Sequence, residues 1–363
     1  MPQPLAGLRV LDFTTLLPGP LATLMLAEAG AEVVKIERPD GDDMRGFPPF
    51  QHNQGVAFAL LNRGKKSLIL DLKSAEARAE LDTLLATADV LVEQFRPGVM
   101  RRLGLDYAAV KARNPRIVYC SITGYGQSGP RAQDAGHDLN YVGQTGLLSL
   151  QAGLRGHPVV PPALVADIAG GSFPAVINIL LALRQRDLTG EGCRLDIAMT
   201  DAMFTFAWHA LAYGSAEGRC PDSGEMMLTG ASPRYRLYPA KDGRLVACAA
   251  LEEHFWSRFC EVIGLAVHLR DDRRDGEATA AGVARLIAGR TGAEWAPLLR
   301  QADCCASVVA TLDEALRDPH FVARGLFRRG LAVGDGVIPA LPVPVAELFR
   351  EPPDTVKPAP PLC

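Results

Sequence analysis

The first 37 residues restrict the fold more than any other stretch. Leu8 to Phe13 (LRVLDF) reads as a buried strand, and Pro18-Gly-Pro20 breaks it. Leu21 to Ala29 has a helix pattern closed by Gly30, and Glu32 to Ile36 (EVVKI) is a second strand. Strand, helix and strand this close together make a βαβ unit, which commits the two strands to a parallel sheet covered on both faces. An α/β fold with a Rossmann-like parallel-sheet domain follows. A dinucleotide site does not, because the first turn reads TTLLPGP. Without G-x-G-x-x-G, no close backbone approach to a pyrophosphate is built in.

Further along, Ser67 to Leu72 alternates like a strand, Ala75 to Ala88 is an amphipathic helix, and Val90 to Glu93 is a strand. Ile117 to Ile122 is the next strand and runs into Gly124-Tyr125-Gly126. Tyr141 to Leu150 has a helix pattern, 151–163 a loop pattern, and a long helix is expected after Gly170-Gly171 to about Arg186. Arg194 to Ala198 reads as a strand and Thr200 to Leu211 as a helix. Near 215 the texture turns polar and Gly-rich. Tyr235 to Tyr238 and Gly243 to Ala249 then form a hairpin pattern, and Glu252 to Ile263 an amphipathic helix. The expected division is a large α/β domain over 1–214, a small α+β domain over 215–319, and a Pro-rich segment over 320–363 that returns to the first.

Charge narrows the partners. The net charge is −3 and the longest basic run is Arg63-Gly-Lys-Lys66, so nucleic acid is not an expected partner. The eight cysteines form no Cys-x-x-Cys pair, which favours reduced thiols and a cytoplasmic location over disulfides or a metal. The longest apolar run, Ala175 to Leu183, contains Asn178 and is too short to span a bilayer. Membrane insertion is therefore not expected.

Three residues carry the candidate chemistry. His137 follows a glycine turn, adjoins Asp138 and lies at the end of a predicted strand, where an imidazole can act as a base near neutral pH. Asp167 closes the apolar Leu164-Val-Ala stretch, as a helix N-cap or as a buried acid. Glu252 opens a helix of the small domain beside Glu253. Arg38, Asn62, Arg63, Lys65, Lys66, Arg96, Arg101 and Arg102 gather near strand ends and turns, as solvated charge or as an anion site.

With these residues in place the chain resembles the class III CoA-transferase (CaiB/BaiF) family, which includes α-methylacyl-CoA racemase. The resemblance runs through LAGLRVLDFTTLLPGPLATLMLAEAGAEVVKIERP, NRGKKSLILDLK, EQFRPGVMRRLGL, ITGYGQSGP and PHFVARGLF, in that order. Within the family it is similar to the racemase branch. Gly136-His137-Asp138 follows the YGQ loop, Ala166-Asp167-Ile-Ala-Gly170-Gly171 matches an Ala-Asp-x-x-Gly-Gly segment, and Glu252 opens the small-domain helix.

The resemblance implies an interlocked homodimer and an acyl-CoA substrate, with no other cofactor. It places CoA against Arg38, Asn62, Arg63, Lys65, Lys66 and Arg96, with Tyr125, Gly126 and Gly136 beside it. It implies 1,1-proton transfer at the α-carbon of a 2-methylacyl-CoA, with His137 and Asp167 on opposite faces and Glu252 orienting His137. Asp138 joins the catalytic group with no defined task. The alternative within the family makes Asp167 the nucleophile of a CoA-transferase. A third reading is a non-catalytic acyl-CoA-binding protein.

Overall fold

The computed structural model describes residues 3–151 and 159–362, so most of the loop expected over 151–163 lies outside the described residues. Two units are each described by themselves. The larger contains 3–145, 161–206 and 322–362. The smaller contains 207–321 and the described residues of the 146–160 segment.

Six parallel strands organise the larger unit: β1 Arg9–Phe13, β2 Glu32–Glu37, β3 Lys66–Ile69, β4 Val90–Glu93, β5 Val118–Thr123 and β6 Arg194–Ala198. Their order across the sheet is β3-β2-β1-β4-β5-β6. Every neighbouring pair is parallel. This is the doubly wound order, in which the chain reverses direction across the sheet between β1 and β4. The central strands explain their own burial. Val90, Leu91 and Val92 in β4, and Val118, Cys120 and Ile122 in β5, have almost no exposed surface. Such continuous apolar strands are stable only with helices on both faces.

On one face α1 (Ala75–Thr87) presents Leu81 and Leu85 to Leu11, Leu91 and Tyr119. Ser74 caps it by accepting the Ala77 N–H at 3.1 Å. On the other face lie α2 (Pro18–Glu28), which starts with prolines where a missing N–H is harmless, and α3 (Phe173–Thr189). The helix of α3 is longer than its sequence indicated. A π-helical segment, Ala166–Ser172, runs into it without a break and makes one helix of 24 residues. That helix is long and apolar enough to cross a membrane by length and composition, but 44% of its apolar window is buried in this chain.

The C-terminal residues return to the larger unit as a three-stranded sheet of Gly336–Pro339, Gly330–Val333 and Val356–Pro358. Leu331 and Val333 pack against Phe58 and Ala59. In the smaller unit, Tyr235–Pro239 and Leu245–Ala249 pair antiparallel, with Val246 opposite Tyr238. The helix Glu253–Ile263 buries Trp256, Phe259, Cys260 and Ile263 against them.

Candidate active site

Doubly wound sheets bind ligands beyond the carboxyl ends of their strands, at the point where the strand order reverses. A cleft of about 440 Å³ lies there. Leu16 and Pro18 after β1, Gln94 to Pro97 after β4, and Ile122 to Tyr125 at the end of β5 form three of its walls. Gly136, His137, Asn140 and Tyr141 form another, with Asp167 and Met199.

The β5 loop is held by groups far away in sequence. The Thr200 backbone N–H and Oγ1 both donate to the Gly124 carbonyl, at 3.0 and 2.9 Å. The Gln127 N–H donates to both oxygens of Asp196, at 3.1 and 3.0 Å. A Cβ on Gly124 would sit 2.4 Å from the Tyr141 ring, so only glycine fits there. The Tyr141 hydroxyl donates to the Gly136 carbonyl, and its ring meets Tyr125 edge-on at 5.3 Å. These ties fix the backbone that delivers His137.

His137 is the N-cap residue of α4 (Asp138–Gln144), a helix that starts earlier than the 141–150 pattern suggested. Its side chain is exposed at the cleft, and its backbone N–H donates to Asn140 Oδ1 at 3.1 Å. Asp138 is buried, 6% exposed, and its Oδ1 accepts the Asp167 N–H at 2.9 Å. Asp167 is not an N-cap. It is the second residue of the π segment, half-buried and on the cleft wall. Gly170 and Gly171 allow that segment to pack. A Cβ on Gly170 would lie 2.5 Å from the Met199 carbonyl, and one on Gly171 would lie 3.0 Å from Pro18.

Burial first, and then the neighbouring Asp138 charge, push the Asp167 carboxyl up to about 6, against the opposing pull of His137. This raised value is linked to stability. Between an ordinary 3.8 and about 6 the folded chain holds a proton that the unfolded chain has lost. The associated stabilisation is complete below 3.8 and disappears as pH rises through about 6. Asp167→Asn, a permanent mimic of the protonated form, is therefore expected to raise the thermal midpoint at pH 8 and to leave it nearly unchanged at pH 4. After allowance for partial exposure the gain is roughly 1–2 kcal/mol. Thermal melts of both proteins at the two pH values measure it.

The basic residues divide by position. Arg96 lines the cleft and has no ion pair among the described residues. It also borders a smaller cleft of about 180 Å³, with Arg101 and Arg194. Arg38 follows β2 at the carboxyl edge, exposed and paired with Asp43. Tyr125 and Gly136 are on the cleft wall, and Gly126 turns the loop with φ +82°.

Asn62, Arg63, Lys65 and Lys66 are not at the cleft, which corrects their assignment to CoA. Lys65 is buried and donates to Asp12 Oδ2, Thr23 Oγ1, Asn62 Oδ1 and the Pro20 carbonyl at 2.8–3.0 Å. Asn62 also donates to the Phe58 carbonyl at 3.0 Å. Arg63 is 2% exposed and donates to Glu28 at 3.0 Å and to the Leu60 and Leu341 carbonyls at 2.8 Å. Lys66 opens β3 beside Glu32, the first residue of β2, at the amino edge of the sheet. Lys65 and Arg63 spend their donors on buried protein acceptors, and Lys66 is exposed at the amino edge, away from the cleft.

Glu252 belongs to the smaller unit. It is exposed, is the N-cap residue of the Glu253–Ile263 helix, and makes no ion pair among the described residues. Its neighbour Glu253 is engaged by Arg234 at 2.8 Å. Among the described residues no cluster of His, Cys, Asp or Glu has a metal-binding arrangement. The sequence reading missed Tyr141, Asp196 and Thr200. Tyr141 lies one helical turn after His137, a spacing that places the two side chains together. Asp196, in β6, and Thr200, in the Met199–Phe206 helix that follows it, lie about seventy residues away and carry no local signal.

A family model described as CoA-transferase family III matches residues 5–363. The chain is 33% identical to the α-methylacyl-CoA racemase of Homo sapiens over 329 residues, covering 89% of this chain and 82% of that one. It is 32% identical to the acetyl-CoA:oxalate CoA-transferase of Acetobacter aceti over 357 residues, covering 94% and 89%. Among solved structures, a CAIB/BAIF family protein from Brucella suis superposes with a TM-score of 0.82 at 29% identity, covering 95% and 93%.

Proposed function

The chain belongs to CoA-transferase family III, and on that premise we propose that it is a racemase-like isomerase of 2-methylacyl-CoA thioesters. The observation that carries this reading is the placement of His137 and Asp167 on one cleft at the carboxyl edge of the sheet. The α-proton of a thioester is weakly acidic, so its removal needs a base on one face and support for the enolate oxygen. Inversion then needs an acid on the other face. An Asp167 carboxyl with a value of about 6 can take either part near neutral pH. His137 takes the complementary part. The His137 N–H is held by Asn140, which leaves the Asp138 N–H at the start of α4 for the enolate oxygen. One such donor is typically worth about 2.7–4 kcal/mol.

In this reading Arg38 and Arg96 hold the CoA phosphates. The second subunit covers the apolar side chains that the larger unit leaves exposed. Ile177, Leu180, Leu181 and Leu188 on α3 are 43–71% exposed, and Phe204 and Phe206 lie 46–49% exposed nearby in sequence. An interlocked homodimer, located in the cytoplasm, suits so large an apolar surface.

Incubation of an (R)- or (S)-2-methylacyl-CoA in heavy water tests the reading. Deuterium at the α-carbon is expected, and its absence with folded, dimeric protein overturns the proposal. A second reading is favoured by the transferase relatives at similar identity. Asp167 would attack an acyl-CoA, expel the CoA thiolate and form a mixed anhydride, then pass through an aspartyl-CoA thioester. Hydroxylamine trapping on Asp167 after addition of acyl-CoA supports transfer. An unmodified Asp167 supports racemisation.

A further inference from the structure

The proposed reaction uses the Asp138 backbone but gives its carboxylate no task. That carboxylate is nevertheless more buried than either acid that lines the cleft, of which Asp134 is exposed and Asp167 half-buried. Its Oδ1 accepts the Asp167 N–H at 2.9 Å, across 29 residues of sequence. That N–H is in the first turn of a helix, where backbone donors have no partner within the helix. No side chain of the π segment's own N-cap residue, Val165, supplies one. Asp138 therefore does for this helix what an N-cap aspartate does for its own, but from a separate element.

We propose that Asp138 is a positioning residue with two roles: it caps the turn that carries Asp167, and it sets a second negative charge beside the Asp167 carboxyl. The charge role rests on the reading of Asp167 as a proton-transferring group. The capping role stands without it.

The surroundings of Asp167 support the charge role. His137, Asp138 and Tyr141 face it from the α4 segment. Arg96, Tyr125 and Asp134 line the same cleft. Where the α2 and Met199–Phe206 helices meet that cleft they bring Pro18 and Met199, which carry no charge. Among these groups Asp138 alone both bonds to the Asp167 backbone and repels its carboxylate. Tyr141 feels the same two carboxylates; burial first, then Asp167 and Tyr125, with Asp138 adding least and Arg96 opposing, push its hydroxyl up to about 12.

Two variants separate the roles. Asp138→Asn keeps an oxygen that can accept the Asp167 N–H and removes the charge. Asp138→Ala removes both. Carboxyl-carbon NMR of aspartate-labelled protein, with Asp167→Asn supplying the assignment, follows the titration of Asp167 directly and needs no turnover. The wild-type midpoint is expected near 6. In both variants it falls by roughly one pH unit as the like charge is lost. Hydrogen exchange at the Asp167 amide is expected to stay near wild type in Asp138→Asn and to quicken about tenfold in Asp138→Ala, the equivalent of about 1.4 kcal/mol.

An unchanged midpoint in both variants overturns the charge role, and unchanged exchange in Asp138→Ala overturns the cap. Heavy-water exchange by the wild type is read separately. A shifted midpoint without α-deuteration sinks the racemase reading alone, and α-deuteration with an unmoved midpoint sinks the charge role of Asp138 alone.

Discussion

Replacing His137 by asparagine is expected to slow α-deuteration of a 2-methylacyl-CoA by about 10²–10⁴-fold, the usual contribution of a positioned acid or base. The effect should be confined to turnover. The His137 side chain is exposed, and the backbone contacts that build the loop, from Tyr141 to the Gly136 carbonyl and from the His137 N–H to Asn140, do not involve the imidazole. Thermal melts should therefore match those of the wild type. Hydroxylamine trapping on the same variant gives the contrasting result. If Asp167 is a nucleophile, Asp167 modification persists without His137, whereas a proton relay loses most of its rate. Near-wild-type α-deuteration in His137→Asn would remove the histidine from the mechanism.

The second large effect concerns stability and lies away from the cleft. Lys65 and Asp12 are both fully buried and 3.0 Å apart. Burial pulls the Lys65 ammonium down to about 8 against the charge of Asp12. Burial also acts to raise Asp12, but Lys65 and Lys35 outweigh it and hold that carboxyl far below its usual range. Removing either partner leaves a charge stranded in the interior, at a typical cost of about 3–5 kcal/mol. A domain has only about 5–15 kcal/mol of total stability. Asp12→Ala and Lys65→Ala are each expected to lower the unfolding midpoint in urea severely or to prevent recovery of folded protein. If Lys65 served CoA instead, its loss would weaken acyl-CoA binding in a protein of unchanged stability. Denaturant titration with and without acyl-CoA distinguishes the two.

The outcome for Lys65 shows what the sequence conveys and what it hides. The βαβ start was legible because apolar runs, a proline break and a closing Gly30 are local signals, and the parallel pairing of the first two strands follows from them. The carboxyl-edge position of His137 was legible for the same reason. NRGKK was not, since a run of polar and basic residues between a helix and a strand resembles solvated surface. Its partners Asp12 and Glu28 lie 53 and 35 residues upstream, and only the fold brings them beneath the run. Asp167 was recognised as a candidate, but its setting was hidden. Ala-Gly-Gly reads as a gap before a helix, whereas close packing against Met199 and Pro18 makes those glycines part of the helix itself.

That widened stretch, Ala166–Ser172, has a further consequence. A π turn is an α-helix with a residue too many, and each residue of an ordinary helix advances about 100° around the axis. The downstream end is anchored by Ala175, Ile179 and Ala182 in the core. Loss of one residue from 168–169 would restore ordinary pitch and carry the carboxylate of residue 167 about a quarter-turn away from the imidazole. A deletion of this kind should leave a folded chain that exchanges no α-proton, and a heavy-water assay on it shows whether that happens. The aim of the acid is thus set by the count of residues in one turn, a length tolerance of zero.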